Sequence, residues 1–130
     1  MNRNYEYVSW EDVGAFIESI ADMYEDLDVK FSGVYGLPRG GLVFAVMLSH
    51  RLDIPLLNAP AKGCLIVDDI CDSGESILHF IKNSSNPSCI GDYEVATMYY
   101  NRNAIAAPTT HFKEKNPETW IVFPWEKRPE

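Results

Sequence analysis

The chain has 130 residues, enough for one domain and short for two, and 11 Lys and Arg against 19 Asp and Glu leave a net charge of −8. That balance argues against nucleic-acid binding through a basic surface, which needs clustered positive charge to neutralise phosphates; a small anionic ligand needs only a local pocket of donors. Apolar residues make up 46% of the chain, in keeping with a packed core and against disorder.

No apolar run approaches the roughly 18 residues of a membrane span, and the opening residues Met1 to Tyr5 lack a signal-peptide core. Cys64, Cys71 and Cys89 are odd in number and lack CxxC spacing, which argues against a disulfide framework and against a zinc site. The expectation is a single globular domain over residues 1–130, cytoplasmic, with reduced thiols and neither nucleic-acid nor membrane partners.

The first predicted element is a helix. Ser9 with Asp12 three residues later resembles a capping box, and Val13, Phe16, Ile17, Ile20 and Tyr24 follow at helical spacing, with Glu11, Glu18, Asp22 and Glu25 on other faces. Phe31 to Tyr35 reads as a short strand, broken by Gly36-Leu37-Pro38-Arg39-Gly40-Gly41. Leu42 to Leu52 is apolar nearly all round, as in a buried helix, and Ile54 to Leu57 reads as a small strand. Cys64-Leu65-Ile66-Val67 has the continuous apolar character of a central parallel strand, ending at Asp68-Asp69. A polar turn then leads into a helix from Glu75 to Lys82, a loop over Asn83 to Gly91, and strands at Val95 to Tyr100 and Trp120 to Phe123. This alternation predicts an α/β domain with a mainly parallel twisted sheet flanked by helices. In such sheets ligands bind beyond the carboxyl ends of the strands, so the turns at 36–41 and 68–76 should share one rim.

The segment from Ile66 to Ser76 carries the most chemistry. Two adjacent carboxylates at the end of a buried strand call for a cation or hydroxyl partners: a ribose diol could donate to both, or Mg²⁺ could meet them directly or through water. Asp72-Ser73-Gly74-Glu75-Ser76 then opens a helix whose free N–H groups and serine hydroxyls form an anion cradle. A sugar phosphate suits this spacing.

This stretch closely resembles the phosphoribosyl pyrophosphate (PRPP) signature of the type I phosphoribosyltransferases. Tyr7-Val8-Ser9-Trp10-Glu11, Pro38-Arg39-Gly40-Gly41-Leu42-Val43 and Trp120-Ile121-Val122-Phe123-Pro124-Trp125-Glu126 are similar to segments of the bacterial purine (xanthine, guanine, hypoxanthine) members, in the same order. The resemblance implies that family's fold, with a small C-terminal hood, and transfer of 5-phosphoribosyl from PRPP to a purine base with release of pyrophosphate. It implies PRPP binding by Asp68, Asp69, Asp72, Ser73, Gly74, Glu75 and Ser76, with Mg²⁺ held at Asp68 and Asp69. Arg39 and Gly40 would bind pyrophosphate, after a strained peptide of the kind that can be cis. Asn101, Trp120 and Ile121 would meet the base, with Trp120 as stacking platform, and Asp72 would be the general base that takes the ring proton. Homodimers and homotetramers are common in the family.

Two departures bear on function. Only Leu52 to Gly63 separate the buried helix from the acidic strand, where the family carries a mobile lid, so the lid here is reduced. Asn101 stands where purine members usually carry a lysine that donates to the 6-oxo group, which leaves the base open. The alternative is therefore a non-catalytic PRPP or nucleotide sensor, or a partner-binding protein that lost its lid. A receiver-like phosphorylation module is weaker, because its acid pair normally follows the first strand.

Overall fold

The computed structural model describes residues 4–82 and 94–128. The order of elements is β1 (Asn4–Tyr7), α1 (Trp10–Asp26), β2 (Val34–Gly36), α2 (Gly41–Leu52), β3 (Leu65–Cys71), α3 (Glu75–Lys82), β4 (Glu94–Tyr100), β5 (Thr110–Glu114) and β6 (Thr119–Val122). Strands β2-β3-β4-β5 form one sheet in that order, every pairing parallel, and β1-β6 form a separate two-stranded parallel sheet. The expected α/β class, parallel sheet and small C-terminal hood are all present, the hood being the β1-β6 pair.

Helix α1 starts where its cap dictates. Asp12 N–H donates to Ser9 Oγ at 3.0 Å and Ser9 N–H donates back to Asp12 Oδ2 at 3.0 Å. The predicted stripe Val13, Phe16, Ile17, Ile20 and Tyr24 is buried. The acids on its outer side have a structural use: Arg51 of α2 reaches Glu18, Asp22 and Glu25 at 2.9, 2.8 and 2.5 Å. Single surface ion pairs contribute little, but three on one guanidinium fix α2 against one stripe of α1. Beneath them Phe16 meets Phe44 edge to face at 5.3 Å. One cluster joins these residues to Leu65 and Val67 of β3, Met98 of β4 and Phe123.

Several boundaries differ from the sequence reading. The strand expected over Phe31 to Tyr35 is β2, Val34–Gly36; Phe31 instead packs edge to face on Tyr24 at 4.9 Å. Ile54 to Leu57 is no strand but a single bridge, Leu56 to Val34. β3 does not stop before the acids: pairing with β4 continues through Asp68 with Thr97, Ile70 with Tyr99 and Cys71 with Tyr100. Two strands were not anticipated. β1 is short and exposed throughout, and β5, at the sheet edge, alternates only weakly between half-buried and exposed residues. The loop expected over Asn83 to Gly91, with Cys89, lies outside the described residues. Cys64 and Cys71 are free and buried, and among the described residues no helix is long and apolar enough to cross a membrane.

The join between α2 and the sheet depends on bare glycines. A Cβ on Gly41 would sit 2.4 Å from the Val67 carbonyl oxygen, and one on Gly36 would sit 2.4 Å from the Gly41 carbonyl oxygen. Gly41→Ala is expected to destabilise the fold by about 1–3 kcal/mol through forced backbone movement. Gly14→Ala, on α1 with no atom within 4 Å of the new methyl, should stabilise it by about 0.5–1 kcal/mol through helix propensity. Urea denaturation of both variants checks the contrast; equal effects would refute it.

Candidate functional site

All four strands of the main sheet run the same way, so the segments after β2, β3, β4 and β5 emerge on one rim. The turn after β2 carries Pro38-Arg39, joined by a cis peptide bond, followed by Gly40. Leu37 N–H donates to Val67 O at 3.0 Å, holding this turn beside the acidic end of β3. A Cβ on Gly40 would fall 2.1 Å from Asp69 Oδ2, so the glycine lets the carboxylate lie directly against the turn.

The two acids sit in different surroundings. Asp69, with Arg39 and Gly40, lines a cleft of about 630 Å³ whose far side is Trp120, Trp125 and Glu126. Asp68 instead lines a small cavity of about 100 Å³ with Asp72, Ser73, Gly74 and Ser76. Asp69 N–H donates to Asp68 Oδ1 at 2.9 Å and Ile70 N–H to Asp69 Oδ1 at 2.7 Å. Burial, and then the neighbouring charge of Asp69, push the Asp68 carboxyl up to about 8. A bound cation or a pair of donated hydroxyls would relieve both causes.

The start of α3 forms the rest of the small cavity. Its first main-chain bond runs from Leu78 N–H to Gly74 O at 3.0 Å, so the N–H groups ahead of Leu78 have no intrahelical acceptor. That of Glu75 is taken by Ser73 Oγ at 3.2 Å, which makes Ser73 part cap. Gly74 has φ +83, and a Cβ there would meet Ala106 N at 2.6 Å. Glycine is thus required both for the turn and for the approach of the 101–106 loop, which Ile105 N–H to Ser73 O at 2.8 Å also ties down.

Comparison with known proteins agrees with this geometry. No protein-family model matches the chain. It is 25% identical over 142 residues to the xanthine-guanine phosphoribosyltransferase of Desulfotalea psychrophila, covering 92% of this chain and 84% of that protein. To the enzyme of the same name from Cereibacter sphaeroides it is 27% identical over 149 residues, covering 92% and 86%. The crystal structure of purine phosphoribosyltransferase from Pyrococcus horikoshii superposes with a TM-score of 0.78 at 26% identity, covering 97% of each chain. In sequence and in fold the chain is similar to purine phosphoribosyltransferases of the type I family.

Against that family pattern, the structure gathers Arg39, Gly40, Asp69 and Trp120 around one cleft, and Asp68, Asp72, Ser73, Gly74 and Ser76 around the adjoining cavity. Glu75 is exposed in the first turn of α3. Trp120 is 53% exposed, as a stacking surface requires, but its neighbour Ile121 is 4% exposed and faces the core. Successive residues of a strand point to opposite faces, so Ile121 would meet a base through its main-chain groups. Asn101 Nδ2 donates to Asp72 Oδ1 at 2.9 Å. The residue missed altogether is Lys115: its side chain is 6% exposed, with Nζ 3.8 Å from the same Asp72 oxygen.

For Mg²⁺ the donor set is partial. Among the described residues no three His, Cys, Asp or Glu side chains are placed to hold a metal ion together. Asp68 and Asp69 offer hard oxygens, and Mg²⁺ carried by a polyphosphate needs only one or two carboxylates from a protein. The pair therefore fits an ion that arrives on its ligand.

Because the folded state raises the Asp68 pKa, it binds that proton more tightly than the unfolded chain does. Stability from this residue is complete below the ordinary value of 3.8 and is lost as pH rises through about 8. Asp68→Asn keeps the acceptor for Asp69 N–H and removes the charge. Its melting temperature in metal-free buffer should exceed that of the wild type by several degrees at pH 8.5, with the gap shrinking toward pH 5. A gap independent of pH would show that Asp68 carries no such penalty.

Proposed function

We infer that this chain is a small purine phosphoribosyltransferase that transfers 5-phosphoribosyl from PRPP to a purine base and releases pyrophosphate. The observation that carries this reading is the convergence on one rim of three anion- and sugar-binding elements: the Arg39-Gly40 turn, the Asp68-Asp69 pair and the open start of α3, with Trp120 across the cleft. The 5′-phosphate would sit on the amides and serine hydroxyls at the start of α3, where the helix dipole favours an anion. The ribose hydroxyls would donate to Asp68 and Asp69. Arg39 would meet the diphosphate with several donors at once, and the base would lie against the exposed face of Trp120.

Transfer forms a bond from a purine ring nitrogen to C1′ and breaks the bond from C1′ to the diphosphate oxygen. The transition state has oxocarbenium character, so a rim of carboxylates would stabilise the developing positive charge on the ribose. Asp72 would take the proton from the ring nitrogen as the new bond forms. Magnesium bound with PRPP would supply charge neutralisation at the leaving diphosphate.

One observation favours a second reading, a sensor that binds PRPP or a nucleotide without turnover. Residues 53–64 are tied to the fold: Val34 N–H donates to Pro55 O and Leu57 N–H to Val34 O, while Ser32 Oγ donates to Lys62 O. Chain held this way does not swing over a ligand, and closure is what shields reactive intermediates from water. The match to the two curated relatives also runs longer, 142 and 149 positions, than the 92% of a 130-residue chain it covers.

Incubation with PRPP, Mg²⁺ and each of adenine, guanine, hypoxanthine and xanthine separates the two. The transfer reading expects a nucleotide and pyrophosphate from at least one base, with Asp72→Asn slowing formation about 10²-fold or more. PRPP bound without product from any base would establish the sensor instead. Under either reading, Ser73→Ala combined with Ser76→Ala should weaken PRPP binding by about 1–3 kcal/mol; calorimetry showing unchanged affinity would place the phosphate elsewhere.

A further inference from the structure

The segment from Tyr7 to Glu11 resembles the purine members in sequence yet contributes nothing to the rim. With the C-terminal turn it encloses a second cavity of about 320 Å³, within the range of small-molecule sites. Tyr7, Trp10, Val122, Pro124, Glu126 and Arg128 are among its walls. Val122 and Glu126 also line the cleft that holds Asp69, so the two spaces share a wall. Trp10 meets Trp125, itself a cleft residue, at 5.6 Å and braces that wall.

Two rings of this cavity stay open to solvent: Tyr7 is 50% exposed and Trp10 55%. Such rings offer flat apolar faces on which any nucleobase stacks. Arg128 adds a positive charge. Its guanidinium lies 5.0 Å over the Tyr7 ring. It forms no ion pair among the described residues, although the chain carries 19 acids and Glu126 lines the same cavity. A cation–π contact uses the flat face of a guanidinium and leaves its N–H edge for phosphate oxygens. Glu126 completes the polar set. Its Oε1 accepts Phe123 N–H at 2.8 Å, which fixes the carboxylate and leaves Oε2 to accept from a base.

We propose that this cavity is a second nucleotide site, in which a base stacks on Trp10 with a donor group toward Glu126 and the phosphate meets Arg128, held in place by Tyr7. The three kinds of group select that ligand class together. A ring without an anion leaves Arg128 unused, and a sugar phosphate without a base leaves Trp10 and Glu126 unused. Guanine suits the carboxylate because its N2 amino group donates. The proposal does not rest on the transfer reading, since it uses none of the residues assigned there to PRPP or to the base.

Indole ¹⁵N–¹H spectra of the full chain titrated with guanosine 5′-monophosphate test this, because Trp10, Trp120 and Trp125 each give one signal. Trp10→Phe and Trp120→Phe assign the two exposed ones. The Trp10 signal should shift saturably, with a dissociation constant of its own. Arg128→Gln, a change on an exposed side chain, should weaken that response about tenfold or more, as for a lost charged hydrogen bond, and leave the Trp120 response within about twofold. Ribose 5-phosphate should leave the Trp10 signal in place at concentrations where the nucleotide saturates it. A Trp120 shift with Trp10 unmoved would put the nucleotide in the cleft alone, overturning the second site and leaving the transfer reading standing. A Trp10 shift that tracks Trp120 and survives Arg128→Gln would be an effect carried through Trp125, and overturns the second site equally. A Trp10 shift given as strongly by ribose 5-phosphate would make the cavity a bare anion site, against the proposal. Absence of any indole shift overturns it too, and binding of PRPP then decides the transfer reading separately.

Discussion

The parallel register of β3, β4 and β5 is the constraint on which the rest depends. Parallel strands present their carboxyl ends on one side, and a one-residue slip would turn every side chain to the other face. Here the buried run Leu65, Ile66 and Val67 sets the register from the core side, with Ile66 opposite Val95 and Val67 opposite Ala96. The rim inherits it: once Val67 is opposite Ala96, Asp68 must be opposite Thr97 and Asp72 must stand next to Asn101. Hydrophobic burial that has nothing to do with a ligand thereby places the polar groups that could hold one. Loops carry the candidate chemistry, but the rigid strands beneath them set its geometry.

Close backbone approach completes the arrangement. The turn after β2 lies against the end of β3 only because Gly36 and Gly41 lack side chains, and Asp69 lies against that turn only because Gly40 does. On the far side of the acids, Gly74 lets the 101–106 loop pack onto the start of α3. These contacts leave little room for a Cβ, so the two anion-binding turns are held to the acid pair by the main chain itself. The hood is joined differently. Tyr99 of β4 donates to Glu6 of β1 at 2.5 Å, Tyr5 pairs with Trp120, and the Phe123 and Trp125 rings stack at 5.1 Å. Trp120 thus reaches the cleft from a two-stranded sheet anchored by aromatic packing and one tyrosine–carboxylate bond.

Much of this was legible in the sequence, for reasons that can be named. The capping box of Ser9 and Asp12, the helical stripe to Tyr24 and the apolar run to Val67 are local patterns, and they folded as read, except that β3 continues past its acids because β4 keeps pairing beside it. The acidic signature and the two glycine turns announced a rim because their residue types have few other uses together. What escaped depends on contacts distant in sequence. β5 is an edge strand with only half-buried alternation, and β1 is exposed, so neither shows the periodicity that reveals a strand. Trp120 and Ile121 are neighbours on a strand that the sequence does predict, and their opposite orientations, one ring to the cleft and one side chain to the core, follow from its alternation. Lys115 was invisible for a related reason, since a lysine beside Asn and Pro reads as solvated loop until β5 is known to end at Glu114.

The acid pair shows what the site costs the fold. Asp68 and Asp69 stand next to each other on a half-buried strand end, and each accepts the N–H of the residue after it. A fold selected only for stability would place apolar or amide side chains there, because a carboxylate moved out of water beside a second one is penalised twice. Local reasoning about sequence breaks down at such points, and they mark function more reliably than any single residue type does. The same argument applies to Lys115, a charge buried at the end of a neighbouring strand. An ammonium and a carboxylate that wanted only each other would close to hydrogen-bond distance, and at 3.8 Å with Asn101 already on the carboxylate they do not.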